Sequence, residues 1–412
     1  MNSLEKELRK SIEFFLYETN LNLDSKGYGL IRDNSKRRDM ASIASVGFGL
    51  SAYVIAVKLG MISYEEGLER TKGTFKTFVN LNHFNGFYIH FLDMETAQQY
   101  RKSEYSTIDT VIFMNGAITC DAFFDDAEVH QLFSTLFERL DFRPFVKEMN
   151  GKKVFRMAYN PSDGGDYRQH SSDPWIYQWH MYAEQLSMYF IAAATDTMDE
   201  DLAKELYLGF ERNTGVYKNY SYIYSPTNAL FIYQYSHAWI DFRHIIGPDN
   251  IDWFENSRIA SLANREYCID IHNEYPILHE KAWGLTACLT PLGYRNQCVK
   301  PNDLIPTDIH QYGVLPPSGA IGSVVFTPKE SSEVLEYMDK HYPLAFKEYG
   351  FTDGIALLED GSTWISDDYI GINKGITVLM IDNYLHQTSW DLYMSHPLIK
   401  KAMKKLSFER RT

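Results

Sequence analysis

Apolar residues recur along the chain at the three-to-four residue spacing of an amphipathic helix. Leu4, Leu8, Ile12, Phe15 and Leu16, interleaved with Glu and Lys, set the pattern at once. The same periodicity predicts helices near 4–19, 42–58, 64–80, 107–123, 126–140, 179–195, 199–210, 233–246, 251–269, 280–289, 328–341, 374–394 and 397–406. Two starts bear explicit end signals: Thr327, Pro328 and Glu330 fit the N-cap, N1 and N3 positions of a capping box, and Ser63 with Glu66 repeats the cap-to-N3 spacing. Strand signal is sparse, and its clearest piece, 351–358, reads as a small hairpin on a loop.

Connections between these helices are short at 58–64, 123–126 and 195–199 and long at 81–106, 141–178, 211–232 and 290–327. Short connections imply antiparallel helix pairs. Helix hairpins repeated about an axis, with the long loops gathered at one end as a cleft, describe an all-α toroid, expected here as one domain over 1–412. No fixed repeat of 34 or 40 residues supports an open solenoid. The uncharged run from Met40 to Val57 approaches spanning length, but Ser42, Ser45, Gly47, Gly49 and Ser51 make it a buried helix, so no membrane span is expected. The first residues lack a basic head and an apolar signal core, so the expected location is cytoplasmic, or periplasmic or secreted if a leader was removed.

Charge narrows the function classes. With 40 Lys plus Arg against 54 Asp plus Glu the net charge is -14, which repels a nucleic-acid backbone. The basic clusters Lys36–Arg38 and Lys400–Lys405 therefore read as solvated faces. Aromatics reach 15%, led by 29 Tyr, a ring with a polar tip that suits a wet groove stacking on sugars as well as a large core. Cys120, Cys268, Cys288 and Cys298 show no CxxC spacing and read as mostly buried free thiols, with Cys288 and Cys298 placed to pair only in an oxidising compartment.

Carboxylates and rings concentrate in the long connections. The first holds Tyr88, His90, Asp93, Glu104 and Asp109, where Glu104, Ser106 and Asp109 could equally cap a helix and Asp93 hold a turn. The second runs through Trp175 to His180 and Glu184, four apart on a predicted helical face, a spacing for a hydrogen-bonded pair rather than a metal site. Two carboxylates on loops of different helix pairs are what glycoside hydrolysis requires: one protonated to donate to the leaving oxygen, one ionised as base or nucleophile. Gln234, His237, Trp239 and Asp241 form either a network that fixes helix packing or a cleft wall. Gly47-Phe-Gly49 is no dinucleotide fingerprint and Gly371–Gly375 no P-loop, and there is no nucleophile elbow, HExxH or EF-hand loop. No metal or cofactor is expected.

Several motifs in order carry a family resemblance: Gly86–Met94 with Glu104–Thr110, Gln234–Arg243, Phe254–Arg258, Trp283–Ala287 and Ile370–Tyr384. From about Leu30 to Phe408 the chain resembles the bacterial glucoamylase-like family, which includes endo-β-1,2-glucanases. The resemblance implies an (α/α)6 barrel, a carbohydrate cleft and acidic catalysis, with Glu184 as general acid, Glu104 as base or nucleophile, and Asp93 and Asp109 in support. Tyr88, His90, Trp175, His180, Gln234, His237, Trp239, Trp283 and Tyr294 are the expected sugar-binding residues. The chain departs from the family pattern at Leu289 and Asn373, where carboxylates are usual, and at Ala183. The leading reading is a hydrolase of β-linked glucan or oligosaccharide, with β-1,2 the expected linkage. A phosphorylase or transglycosylase is the rival, the phosphorylase with Arg101, Arg168 or Lys374 as anion ligands, and a non-catalytic sugar-binding protein is the third reading. Leu289 either narrows a subsite together with the Pro-rich 291–317 loop or points into the core.

Overall fold

The computed structural model describes residues 2–301 and 311–411. It is helix-rich, with fourteen α-helices among the described residues: α1 (Ser3–Tyr17), α2 (Ile43–Lys58), α3 (Tyr64–Asn80), α4 (Thr107–Phe123), α5 (Ala127–Glu138), α6 (Leu186–Ala194), α7 (Glu200–Gly209), α8 (Phe231–Gln234), α9 (Trp253–Asp270), α10 (Pro317–Ile321), α11 (Pro328–His341), α12 (Gly371–Leu385), α13 (Thr388–Ser395) and α14 (Pro397–Leu406). Pro306 of the Pro-rich loop lies outside the described residues.

Burial divides the helices into two kinds. Helices α2, α4, α6 and α12 are buried almost all round, as a helix apolar on every side must be. Helices α1, α3, α5, α7, α11 and α14 bury one stripe and expose the other. At the centre α2 packs against α4 and α12. The first contact depends on Gly47 and Gly116, because a Cβ on Gly116 would sit 2.0 Å from the Gly47 carbonyl oxygen. The Met40–Val57 run is thus a core helix, and among the described residues no helix is long and apolar enough to cross a membrane. All four cysteines are buried free thiols.

Ser63 caps α3 as its spacing predicts, accepting from the Glu66 N–H at 3.1 Å, while the Glu66 carboxylate turns to Arg70. The box at Thr327 does not form. Its hydroxyl bonds back to the Ser323 carbonyl at 3.2 Å and to Ser331 at 3.1 Å. Four predicted helices are corrected, of which 179–195 begins only at Leu186. Over 233–246 the chain makes only the end of α8 and 3-10 turns at Tyr235–Ala238 and Phe242–His244, since Gln234 donates across to Gly319 and Asp241 bonds the Arg243 N–H. Residues 280–289 pass through Gly284 at φ 115° into a strand, Cys288–Thr290. The 374–394 prediction splits into α12 and α13 at Gln387, which adopts φ 58°.

Strand is more abundant than the sequence pattern indicates, but in small pieces. The largest sheet joins Tyr105–Ser106, Val146–Met149, Lys152–Tyr159 and Trp175–Gln178. Within the predicted strand region, Ile355–Leu357 pairs with Val314–Leu315 and Thr363–Ile365. These sheets are the substance of the long connections, and they hold the loops that precede the buried helices.

Candidate active site

Loops entering α2, α4 and α12, with the 160–174 loop and the hairpin 288–295, enclose a cavity of about 570 Å³. Its wall includes Asp33, His90, Asp109, Tyr167, Leu289 and Tyr294. Larger hollows near His130 and His396 (about 800 Å³) and beside α14 (about 860 Å³) gather no comparable set of carboxylates and exposed rings.

Helix α4 positions the acidic centre. Ser106 caps it, bonding the Asp109 N–H and carboxylate, which fixes Asp109 on the first turn facing the cavity. Glu104, two residues ahead of that cap, is buried and meets His90 Nδ1 at 2.8 Å and Ser103 Oγ at 3.3 Å. The other ring nitrogen, Nε2, lies 3.5 Å from Asp109. Burial alone would lower the His90 pKa, but Asp109, Glu104 and Asp33 outweigh it and push it up to about 9, so the ring is an imidazolium at neutral pH. In return, although burial opposes ionisation of Glu104, the hydrogen bond and charge of His90 hold its carboxyl below the usual range.

Glu184 has the opposite environment. It stands just before α6, and the 179–185 stretch predicted as helix is irregular, held by Gln185 bonds to the Ala183 N–H and the Met181 carbonyl. Burial, with a contribution from Asp109, pushes its carboxyl up to about 7. His180 does not share a helix face with it; the His180 ring lies 3.1 Å from the Gln178 carbonyl.

His90, Asp109 and Tyr294 thus share the cavity, with Glu104 directly behind His90 and Glu184 close enough to feel Asp109. Other predicted residues lie elsewhere. Asp93 accepts from Glu95 and Thr96 in a turn. Tyr88, Trp239 and Trp283 are fully buried core rings. His237, bonded to Ser257 and packed by Phe242 and Phe326, is pushed down to about 3 by burial and stays neutral. Gln234 ties α8 to Gly319 and Ser323. Trp175 packs in a cluster with Phe145 edge-on, Tyr159 tilted and the Arg156 guanidinium over its ring.

The departures acquire physical roles. Leu289 and Tyr294 are cross-strand partners on one face of their hairpin and both face the cavity, so Leu289 is not a core residue. Asn373 donates at 2.7 Å to buried Asp353, which also accepts the Leu289 N–H at 2.6 Å; burial pushes Asp353 up to about 6. Lys374 forms a buried pair with Glu7 at 2.8 Å, and Arg168 is spent on the carbonyls of Ser162 and Ser171. Arg101 lines the cavity.

Asp33 and Tyr167 belong to the site without having been singled out from sequence. Asp33 stands beside the Lys36–Arg38 cluster read as a solvated face, yet Lys36 and Arg37 line the same cavity. Among the described residues no group of three or more His, Cys, Asp or Glu side chains could hold a metal ion.

A family model described as putative glucoamylase matches residues 176–397. An exo β-1,2-glucooligosaccharide sophorohydrolase (non-reducing end) of Parabacteroides distasonis is 25% identical over 92% of this chain and 54% of its own length, so the chain spans about half of that curated relative. Among solved structures, a putative glucoamylase of Bacteroides caccae superposes with a TM-score of 0.85 at 22% identity, covering 99% of both chains. An endo-β-1,2-glucanase of Chitinophaga pinensis, in complex with sophorotriose and glucose, superposes at 0.83 and 22% identity, covering 99% of this chain and 98% of that one.

Proposed function

We propose that this chain, which belongs to the putative glucoamylase family, is a glycoside hydrolase of β-1,2-linked gluco-oligosaccharides. The observation that carries the reading is the arrangement of carboxyls about one cavity: Asp109 lines it, 3.5 Å from a His90 imidazolium that Glu104 backs, while Glu184, near enough to feel Asp109, retains its proton up to about pH 7. That is the division of labour that glycosidic cleavage needs.

In this scheme Glu184 donates its proton to the leaving oxygen. Asp109, open to the cavity, receives the proton of the attacking water or faces the developing positive charge on the sugar ring. Glu104 has both oxygens engaged by His90 and Ser103, so it contributes by fixing His90, which in turn orients Asp109. Hydrolysis is favoured over phosphorolysis because two of the three candidate anion ligands are committed, Lys374 to Glu7 and Arg168 to loop carbonyls.

The finer architecture we assign is an (α/α)6 barrel in one domain. Contacts run in a closed ring: α2 packs on α4, α4 on α6, Ser187 of α6 bonds Ser236, Gln234 bonds Gly319 of α10, α10 packs on α12, and α12 returns to α2. Reducing-sugar release from a panel of glucans and gluco-oligosaccharides tests the function, with Glu184→Gln as control. Turnover confined to β-1,2 linkages is the expected result. Binding of these sugars without turnover by the parent protein would instead favour a non-catalytic carbohydrate receptor.

A further inference from the structure

Most of the rings in this chain are buried, but Tyr167 and Tyr294 are 62% and 40% exposed and both line the active-site cavity. They reach it from different loops, Tyr167 from the connection before Trp175 and Tyr294 from the hairpin 288–295. Asp33 lines the same cavity from the loop ahead of α2. Two rings and a carboxyl thus meet at one cavity from three separate segments of the chain.

Each ring is held in place by local structure. Tyr167 adopts φ 61°, a left-handed conformation that is costly for a bulky L-residue and persists where the surroundings impose it. Its loop is tied down by the Arg168 guanidinium bonded to the Ser162 carbonyl and by the Asn160 amide bonded to the carbonyls of Lys102 and Asp166. Tyr294 is set by its register opposite Leu289, and the hairpin is closed by Thr290 Oγ1 donating to the Gly293 carbonyl. Asp33 has its backbone fixed at both ends: its N–H donates to the Met40 carbonyl, and its carbonyl accepts from the Gly371 N–H at 2.7 Å.

We propose that Tyr167 and Tyr294 form a stacking clamp for one pyranose ring of the substrate, with the Asp33 carboxyl of the same cavity accepting from that ring's hydroxyl groups. The clamp rests on the hydrolase reading and extends it, because it places a sugar-binding subsite beside the acidic centre. A pyranose suits the arrangement, since its carbon-bound hydrogens offer a flat apolar face to a tyrosine ring while its hydroxyls project at the edge toward a carboxylate. A clamp with a ring on two walls recognises shape and hydroxyl placement together, so it discriminates hexosyl units from apolar or strongly charged ligands.

Calorimetric binding of β-1,2-linked gluco-oligosaccharides to the full chain carrying Glu184→Gln tests this without turnover. In that background Tyr167→Ala and Tyr294→Ala should each weaken binding about tenfold, as expected for loss of one aromatic platform. Tyr167→Phe and Tyr294→Phe should stay within about threefold of the parent, because the stacking face remains. Both tyrosines are exposed, so melting temperatures should be unchanged. Alanine variants that bind like the parent would overturn the clamp while leaving the hydrolase reading intact. So would phenylalanine variants as weak as the alanine ones, which would assign the effect to the hydroxyls. If neither these sugars nor any other glycan of a linkage panel binds, the substrate reading and the clamp both fall.

Discussion

Glu184 and Glu104 are the same residue type, Glu104 standing behind His90 and Glu184 just ahead of α6, and their chemistry is decided by their neighbours. Glu184 has no cation against it, and burial lifts its carboxyl to about 7; Glu104 has the His90 ring at 2.8 Å and is held low. The alkaline limb of the pH–rate profile should therefore fall near pH 7, and Glu184→Gln should cost about 10²–10⁴ in turnover, measured by reducing-sugar release. Stability gives an independent reading. A carboxyl raised in the folded state contributes stability that is present below its unfolded value and is lost as pH rises through about 7. The glutamine variant should thus melt no lower than the parent at pH 8 and lack the parent's decline between pH 5 and 8, estimated from that shift. His90 runs on the same logic in a higher window: its raised pKa stabilises the fold fully below its unfolded value near 6.5, and that contribution disappears as pH passes about 9. Glu104→Gln should lower the His90 titration seen by NMR and reduce turnover with it. An unmoved His90 midpoint would separate Glu104 from the network.

At the scale of elements, legibility followed periodicity. Helices α1, α3, α5, α7, α11 and α14 each bury one stripe and expose the other, and that contrast is what a sequence displays. Helix α2 was legible for another reason, since a long uncharged run with small residues has few alternatives. At Gln234, Asp241 and Gln387 the helical pattern is overridden in turn by a bond across to Gly319, a bond to the Arg243 N–H two residues on, and a left-handed backbone. The site divides the same way. Glu104, Asp109 and His90 were legible because they crowd one loop ahead of a helix start, whereas Asp33 and Tyr167 join them only through the closure of remote loops. Lys374 illustrates the gap, having the charge of an anion ligand in sequence but forming a buried bridge from α12 to Glu7 of α1 in the fold, where Glu7 also accepts from Ser11 and the Phe351 N–H. Lys374→Met leaves that carboxylate buried without its cation and should cost about 3–5 kcal/mol in urea unfolding. Adding Glu7→Gln, which keeps an acceptor for Phe351 but removes the charge, should recover part of the loss.

At the scale of the molecule, the buried helices fix where the cleft lies and the loops fix how long a ligand it takes. The hairpin 288–295 stands on the cavity with Leu289 and Tyr294 turned inward, and Ile370 and Ile372 extend the same apolar wall. An isobutyl group at 289 accepts no hydrogen bond from a sugar hydroxyl, so a glucosyl unit passing that wall would leave its hydroxyls unpaired. Beneath it, Asp353 has its oxygens engaged by Asn373 and the Leu289 N–H, so it does not supply the missing acceptor. The cavity, about 570 Å³, lies in the range of a small-ligand pocket rather than an open groove. A chain of sugars threaded through the cleft would have to cross this wall, whereas a short oligosaccharide could end against it. Turnover should accordingly be faster on short β-1,2-linked oligosaccharides than on long glucan, with products released from chain ends. Leu289→Asp should narrow the difference by restoring an acceptor along the wall. Rates across the oligosaccharide series and on polymer, with product sizes resolved by chromatography, decide the matter: mid-chain cleavage of the polymer at the higher rate would mean that the hairpin does not close the cleft.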